Sequence, residues 1–477
     1  MPVATDSVKK LLPWLVAVAF FMEALDTTIL NTAVPLIAEA LHVPPLSMKS
    51  VLSSYTLSLA VFIPISSWMA DRFGTRKVFA AAIGTFTLGS LLCGISNSIH
   101  LLVFCRILQG CGGAMMVPVG RLTLVRTFHK SELIRAMSFV AFPALIGPLL
   151  GPLAGGLIVG YLHWRMIFFV NIPIGLVGLY LVHKHLPDYR AKRTDKMDVL
   201  GLILFGSGIA LFSYVLEVFG EHTLGTREIL GLLAISIALL GGYGLHATQV
   251  AHPLLRLGLL RIRTLRIAVT GSLLTRLGVG GMPFLLPLLY QVGLGYTPLQ
   301  SGLLIVPQSL AAMALKVVVE PILARHGFRR VLVANTLVIG LLIVLFATIR
   351  EGTPVWLILA QACLFGFFSS LQFTSMNTLV YADITEEDTS MASTIVSTMQ
   401  QMSLSFGVAV ASLATSFFVS NQFHSEPHEM IHGLHRAFYV LGAITMLSAL
   451  IFRELRSEDG NNISLHKAGA GVADSAK

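Results

Sequence analysis

The sequence has few charged residues. Only 12% of its 477 residues are Asp, Glu, Lys or Arg, whereas soluble proteins contain roughly 25%. Hydrophobic residues make up 55% of the chain, so a soluble fold would lack the polar side chains needed to cover its surface. The composition therefore excludes a soluble protein and predicts one that lies largely in lipid.

Cysteine is also scarce, and its placement argues against a disulfide framework. The four cysteines all fall inside apolar runs rather than in loops, where free, apolar thiols are expected. They are Cys93, Cys105, Cys111 and Cys363.

Alternation of apolar and polar residues is missing as well. Lipid-exposed backbone must satisfy its hydrogen bonds within an α-helix or a closed β-barrel, and barrel strands would alternate. Apolar runs of about 20 residues favour helices instead. The first run holds Glu23 and Asp26 where a signal peptide would have a cleavage site, so it is predicted to be a retained span. The fourteen predicted spans are 11–35, 46–70, 77–96, 100–120, 136–160, 166–186, 198–218, 228–247, 265–290, 298–320, 331–349, 354–380, 391–419 and 433–452.

The basic residues predict the orientation of these spans. About three quarters of the 33 Lys and Arg residues fall in one alternating set of loops, which is typical of the cytoplasmic side. An even number of spans places both termini on that side. We therefore predict a multi-pass protein of the inner membrane with cytoplasmic termini, and the net charge of +9 does not indicate binding to nucleic acid.

Two basic turns predict an internal repeat. Residues 71–77 follow the second span, and the similar residues 324–330 follow the tenth. This pattern indicates two six-span halves with two further helices between them, as in the repeats of secondary transporters. The predicted division is an N-terminal bundle of residues 1–197, an inserted pair of helices with a linker in 198–263, a C-terminal bundle of 264–455 and a tail of 456–477.

Three motifs in the first half resemble those of the major facilitator superfamily, in particular its fourteen-span drug:proton antiporter branch. The first inner loop runs from Ser67 to Lys77, span 4 has the sequence Arg106-Ile-Leu-Gln-Gly-Cys-Gly-Gly, and span 5 has Gly147-Pro-Leu-Leu-Gly-Pro-Leu-Ala-Gly-Gly. Stretches at 25–35 and 164–175 are similar to blocks of the same branch. Within it, the chain resembles the MdtD-like multidrug exporters of bacteria.

The resemblance implies a fold and roles for the motif residues. It implies an all-α major facilitator fold of two six-helix bundles with two extra central spans. It also implies proton transfer at Arg106, a gating charge network in the loop, and a glycine motif associated with antiporters. The gating residues are Asp71, Arg72, Gly74 and Arg76, and the antiporter residues are Gly147, Gly151, Pro152, Gly155 and Gly156.

Ionisable residues within spans are independent candidates for function, because a charge at the centre of a bilayer costs roughly 2.5 to 3.5 kcal/mol on insertion scales. Glu23 and Asp26 lie three residues apart and share one face of span 1. Such acids titrate as a pair, so we predict that Glu23, Asp26 and Arg106 couple transport to protons. Alternatively, Asp26 is a fixed hydrogen-bonding group, Glu23 a polar residue lining the lumen and Arg106 a buried structural partner.

The remaining intramembrane cations and amides predict a substrate cavity. Arg276 and Lys316 could bind an anionic substrate or balance the acids. Polar side chains among Met and aromatic residues suit large lipophilic compounds, although ordinary helix packing is the better explanation for any single one of them. The predicted cavity residues are Arg276, Gln291, Lys316, Asn377 and Gln401.

A histidine cluster near the C-terminus is a candidate metal site. His424, His428, His432 and His435 could place three imidazoles on one helical face. A tetrahedral Zn²⁺ site needs a fourth ligand in place, so we interpret the segment as a solvated loop. We expect no bound metal and no cofactor.

Together these features predict a proton-coupled exporter of lipophilic or cationic small molecules. Its partners would be the substrate, protons and the bilayer, with no nucleic acid, and we expect a monomer. One alternative is an exporter or facilitator of a single metabolite or siderophore, with or without proton coupling. Another is a receptor or sensor. An enzyme is not expected, because HExxH, GxSxG and GxxxxGK[ST] signatures are missing.

Overall fold

The protein is described by a computed structural model that covers residues 6–128, 130–191, 196–219, 224–418 and 427–460. These residues contain α-helices, short 3₁₀ or π turns and no strand. The helices are α1 (Asp6–Ala40), α2 (Lys49–Phe62), α3 (Ser66–Phe73), α4 (Thr75–Ile95), α5 (Ile99–Thr127), α6 (Lys130–Tyr161), α7 (Met166–Phe169), α8 (Asn171–His185), α9 (Val199–Phe219), α10 (Thr226–Gln249), α11 (Arg263–Val279), α12 (Met282–Leu288), α13 (Pro298–Leu345), α14 (Val355–Leu379), α15 (Thr389–Ser416) and α16 (Pro427–Phe452).

The helices agree closely with the predicted spans. Eleven segments of the described chain are long and apolar enough to cross a membrane. One of them, Pro298–Thr348, has 51 residues, about twice the length that crosses a bilayer. It divides at Gly327, whose φ of +73° is not helical. With α6 and α15 added, the described helices accommodate the fourteen predicted spans.

The helices pack in two groups. In the first group, α1–α8, α1 packs on α6, and α5 packs on α4 and α2. In the second group, α11–α16, α13 packs on α14 and α16, while α11 packs on α15 and α16. The predicted domain limits remain a prediction, but these groups have the helix content expected for the two bundles.

The two groups touch mainly along α6 with α13 and α2 with α15. We call the end that holds the 71–77 turn the basic end, and the end that holds residues 41–48 the opposite end. At the opposite end, Gln291 donates to the carbonyl of Thr32 over 2.9 Å, and Ser412 donates to that of Leu46 over 3.3 Å. The groups are therefore closed together at the opposite end.

Helices α9 and α10 form a pair that lies against the α2–α15 seam. The ring of Phe212 in α9 packs at a tilt against that of Phe406 in α15, with 5.0 Å between ring centroids. On the other side of the seam, Ser53 of α2 donates to Glu217 of α9 over 2.5 Å. Helix α9 thus contacts both groups on this side of the molecule.

Asp198 connects the start of α9 to the end of α10 and to the linker that follows. Its carboxylate lies 2.6 Å from His246 and accepts from the backbone amides of Gly201 and Leu254. Burial acts to raise the pKa of Asp198, but the hydrogen bonds from His246 and the two amides hold it below its ordinary value. The carboxylate therefore stays ionised at neutral pH and fixes the linker to the helix pair.

Candidate functional site

A buried ion pair lies at the centre of the first group. Arg106 Nη1 is 2.6 Å from Asp26 Oδ2, and each residue is only 1% exposed. The other carboxylate oxygen, Oδ1, accepts from Gln109 at 2.8 Å and from Asn171 at 3.0 Å. Both oxygens of Asp26 are therefore occupied, as a buried charge requires.

Further contacts bind this ion pair to its surroundings. Gln109 accepts from Arg106 over 2.7 Å and donates to Ser90 over 2.7 Å. The guanidinium of Arg106 lies 4.2 Å from the centre of the Tyr55 ring. The network joins α1, α2, α4, α5 and α8, so it also holds the first group together.

Sequence reasoning did not assign roles to the other members of this network. Gln109 belongs to the Arg106 motif and Asn171 to the 164–175 stretch, so the sequence placed both of them in motifs. A polar residue within an apolar run was the only signal available. Such a signal gives no partner, because Asn171 and Asp26 lie far apart in the sequence.

Glu23 differs sharply from Asp26, although it is less than one helical turn away. It is half-buried, and among the described residues its carboxylate has no hydrogen bond or ion pair. The charges that act on it are those of Arg121 and Asp26. Glu23 is thus an accessible acid that lies beside a fully bonded one.

The gating motif lies at the basic end and bonds only within the first group, as far as the described residues go. Arg126 is 2.5 Å from the carboxylate of Asp71. Gly74 has a φ of +98°, and a Cβ there would lie 2.2 Å from Asp188, so the turn requires glycine. The backbone amide of Arg76 donates to Asp188 over 3.2 Å, whereas Arg72 is exposed. The motif joins the α3–α4 turn to the segment after α8.

The antiporter motif packs α6 against α1 and α13. Three of its glycines, spaced four residues apart, face α1: a Cβ would lie 2.5 Å from Ala24 at Gly147, 2.0 Å from Thr28 at Gly151 and 2.2 Å from Thr32 at Gly155. The other two members face α13. A Cβ at Gly156 would lie 2.6 Å from Pro298, and one at Gly302 would lie 2.4 Å from Pro152. Backbones this close require small residues.

We expect Gly155→Ala to destabilise the protein. The added methyl group would lie 2.4 Å from the carbonyl oxygen of Ile29, a backbone atom that cannot turn aside, so overpacking should cost about 1–3 kcal/mol. Gly160→Ala on the same helix is the matched control, since a Cβ there has nothing within 4 Å. Thermal unfolding of the purified variants compares them, and equal midpoints would contradict the close packing.

A cavity of about 680 Å³ lies among α6, α13 and α14. Lys316 and Asn377, two of the predicted cavity residues, line it together with Phe373 and Met313. The cavity extends to Tyr381, just past the end of α14 at the basic end. Its size and mixed lining suit a small organic molecule.

The other predicted cavity residues have different positions. Arg276 is 6% exposed and lies behind Phe373, with its guanidinium 4.0 Å from the centre of that ring. Gln291 bonds to Thr32 at the closed end. Gln401 is half-buried on α15 and is not among the residues that line the cavity.

We expected the histidines to lie in a loop, but His428, His432 and His435 lie in a helix, and His424 is outside the described residues. Helix α16 begins at Pro427, so the loop interpretation is wrong for the other three. His428 and His432 approach to 3.2 Å between their Nε2 atoms, while Nε2 of His435 donates to the carbonyl of Ile349 over 2.8 Å. Within the described chain, no group of three or more potential ligands is placed to hold a metal.

Comparisons with known proteins agree with this architecture. The family model of the Major Facilitator Superfamily matches residues 16–275 and 268–475. The chain is 38% identical to the MdtD protein of Serratia proteamaculans, over 95% of both chains. It is 41% identical to MdtD of Pectobacterium atrosepticum, over 87% of this chain and 88% of that one. Both relatives are named as multidrug resistance proteins.

Solved structures show the same fold at low sequence identity. The POT family transporter PepTSo has a TM-score of 0.66 and 17% identity, covering 92% of this chain and 97% of that one. A D-xylose–proton symporter has a TM-score of 0.65 and 13% identity, covering 94% and 98%. At this identity the likeness concerns the fold alone.

Proposed function

Because the chain belongs to the major facilitator superfamily, we propose that it exports lipophilic small molecules in exchange for protons by alternating access. It is a membrane transporter of the multidrug type. Proton coupling, antiport and the direction of transport are our proposal. The observation that carries it is the accessible carboxylate of Glu23 beside the bonded Asp26–Arg106 pair.

Alternating access is supported by the unequal contact between the two helical groups. They meet at the opposite end, where Gln291 bonds to Thr32. The cavity extends toward the basic end, reaching Tyr381. A transporter that rocks about a site near the bilayer midplane has one end closed and the other open in each state.

In the proposed cycle, the half-buried Glu23 exchanges its proton with water. The Asp26–Arg106 pair holds α1 to its neighbours. A change in charge at Glu23, on the same helix, therefore alters the electrostatic interactions among the helices of this network. Each proton that enters down a 100 mV potential supplies about 2.3 kcal/mol, and each pH unit adds about 1.4 kcal/mol. Proton entry can therefore drive export against a concentration gradient.

We propose that the protein lies in the inner membrane as a monomer with both termini in the cytoplasm. The exposed Arg72 and Arg256 at the basic end support this orientation, since cytoplasmic loops concentrate Lys and Arg. A C-terminal reporter enzyme that works only in the cytoplasm should be active. Activity confined to a reporter that works only outside the membrane would contradict this topology.

The function is tested in proteoliposomes that hold the purified chain and an imposed pH gradient. Lipophilic compounds from a panel should accumulate while the gradient lasts, and a pH-sensitive dye should report proton movement in the opposite direction. An ionophore that collapses the gradient should stop accumulation. Transport at the same rate after collapse would contradict proton coupling. Transport of a single compound of the panel would favour the alternative of one specific metabolite or siderophore, which the polar side chains in the cavity wall, such as Lys316 and Asn377, also suit.

A further inference from the structure

The charges around the cavity are distributed unevenly between the two helical groups. In the second group, α11, α14 and α15 contain no Asp or Glu at all. The cavity wall formed by this group nevertheless holds Lys316, and Arg276 lies directly behind it. Glu320, one turn beyond Lys316, is the only acid of α13 and is exposed.

Arg276 is buried without a counter-charge. It is 6% exposed, yet its described contacts are one bond from Nε to the hydroxyl of Ser272, at 3.0 Å, and the face of Phe373. No carboxylate of the described chain lies within 4.0 Å of it. Its terminal nitrogens have no hydrogen-bond partner in the part of the chain that the structure describes. An unpaired buried charge is costly, so a role in binding would explain why it is kept.

Arg106 is a buried arginine whose charge is balanced within the protein. It is buried in the first group, and Asp26 lies 2.6 Å away with both oxygens bonded. Among the described residues, no carboxylate faces Arg276 in this way. The contrast indicates that the counter-charge of Arg276 comes from a ligand rather than from the chain.

Lys316 supplies the direct contact with the cavity. Its ammonium group donates to the hydroxyl of Thr374 over 2.6 Å, which leaves two of its three N–H groups for a ligand. Thr374 is the neighbour of Phe373, whose ring covers Arg276. Both cations therefore act on the same part of α14, where walls of low dielectric strengthen their combined field.

We propose that the cavity binds amphiphilic organic anions, with the acidic group at Lys316 in the field of Arg276 and the apolar part against Phe373 and Met313. This assignment of the ligand class depends on the proposed export function only for the direction in which the anion is transported. The substrate class is thus an organic carboxylate or a similar anion rather than a lipophilic cation.

The proposal is tested by binding three anthracene probes of equal shape to the purified full chain in lipid nanodiscs. Anthracene carboxylate is the anion, aminomethyl-anthracene the cation and hydroxymethyl-anthracene the neutral control. The anion should bind most tightly. Lys316→Gln should weaken its binding about tenfold, the loss expected for a charged hydrogen bond, and Lys316→Arg should restore it. Binding of the neutral probe should not change. Lys184→Gln, an exposed lysine on α8, is the matched control.

Arg276→Gln separates binding from structure. If the guanidinium awaits a ligand, its removal should weaken anion binding and also raise the unfolding temperature of the empty protein, because an unpaired buried charge is lost. A lower unfolding temperature with unchanged anion binding would overturn the proposal, since it would make Arg276 structural. Preference for the cationic probe, or equal binding of all three, would overturn it as well.

These outcomes are distinguishable from failure of the proposed function. Tight anion binding without flux driven by a pH gradient would support the ligand class and contradict proton-coupled export. Gradient-driven flux of the cationic probe, with no binding of the anion, would support export and contradict the ligand class.

Discussion

Replacing Glu23 by glutamine is expected to abolish transport driven by a pH gradient while the protein keeps its fold. Glutamine has nearly the same shape but cannot bind and release a proton, and Glu23 has no hydrogen-bonded partner among the described residues that its loss would leave unsatisfied. Flux in proteoliposomes should fall to the rate measured without a gradient. The free energy of unfolding should change by no more than about 0.5 kcal/mol, as for a neutral surface substitution.

Two controls give this experiment its meaning. Glu39→Gln changes an exposed acid near the end of the same helix and should leave gradient-driven flux intact. Exchange of labelled for unlabelled substrate, with no gradient present, should survive in Glu23→Gln, because substrate binding and the movement of the helices do not need a net proton transfer. Full gradient-driven flux in this variant would rule out Glu23 as the coupling group.

Much of the fold could be predicted because membrane spans carry their signal locally. A run of about 20 apolar residues is sufficient to define a span, and α9 and α10 were found within two residues of their predicted limits. The division of α13 at Gly327 was also predicted, since the turn that contains it resembles the 71–77 turn. What could not be predicted is where α9 lies, because its contact with Phe406 depends on distant residues.

The site was predictable only as a set of separate residues. A charge inside a span identifies Asp26, Glu23 and Arg276 as candidates, but the sequence does not show which of them has a partner. That property is decided by helices that meet in three dimensions, as when Asn171 reaches Asp26. The structure therefore distinguishes three residues that looked alike: Asp26 is bonded, Glu23 is accessible, and Arg276 is buried with no carboxylate beside it among the described residues.

The buried pair gives the second large prediction. Asp26→Asn should destabilise the protein by about 3–5 kcal/mol, because it leaves the charge of Arg106 buried and uncompensated. Arg106→Gln should have a similar cost, since the carboxylate of Asp26 would then keep only the amides of Gln109 and Asn171. The double variant removes both charges and should be more stable than either single one. Unfolding of all four proteins forms a double-mutant cycle that measures the coupling.

This cycle also decides how the two acids divide their roles. If Asp26 is chiefly a counter-charge for Arg106, the double variant should regain substrate exchange together with stability, and gradient-driven flux should return with it through Glu23. If Asp26 itself carries the proton, Asp26→Asn should be as stable as the original protein, and the double variant should exchange substrate but not respond to a gradient. The first outcome is expected, because Asp26 lies 2.6 Å from Arg106 and both of its oxygens accept hydrogen bonds from the protein.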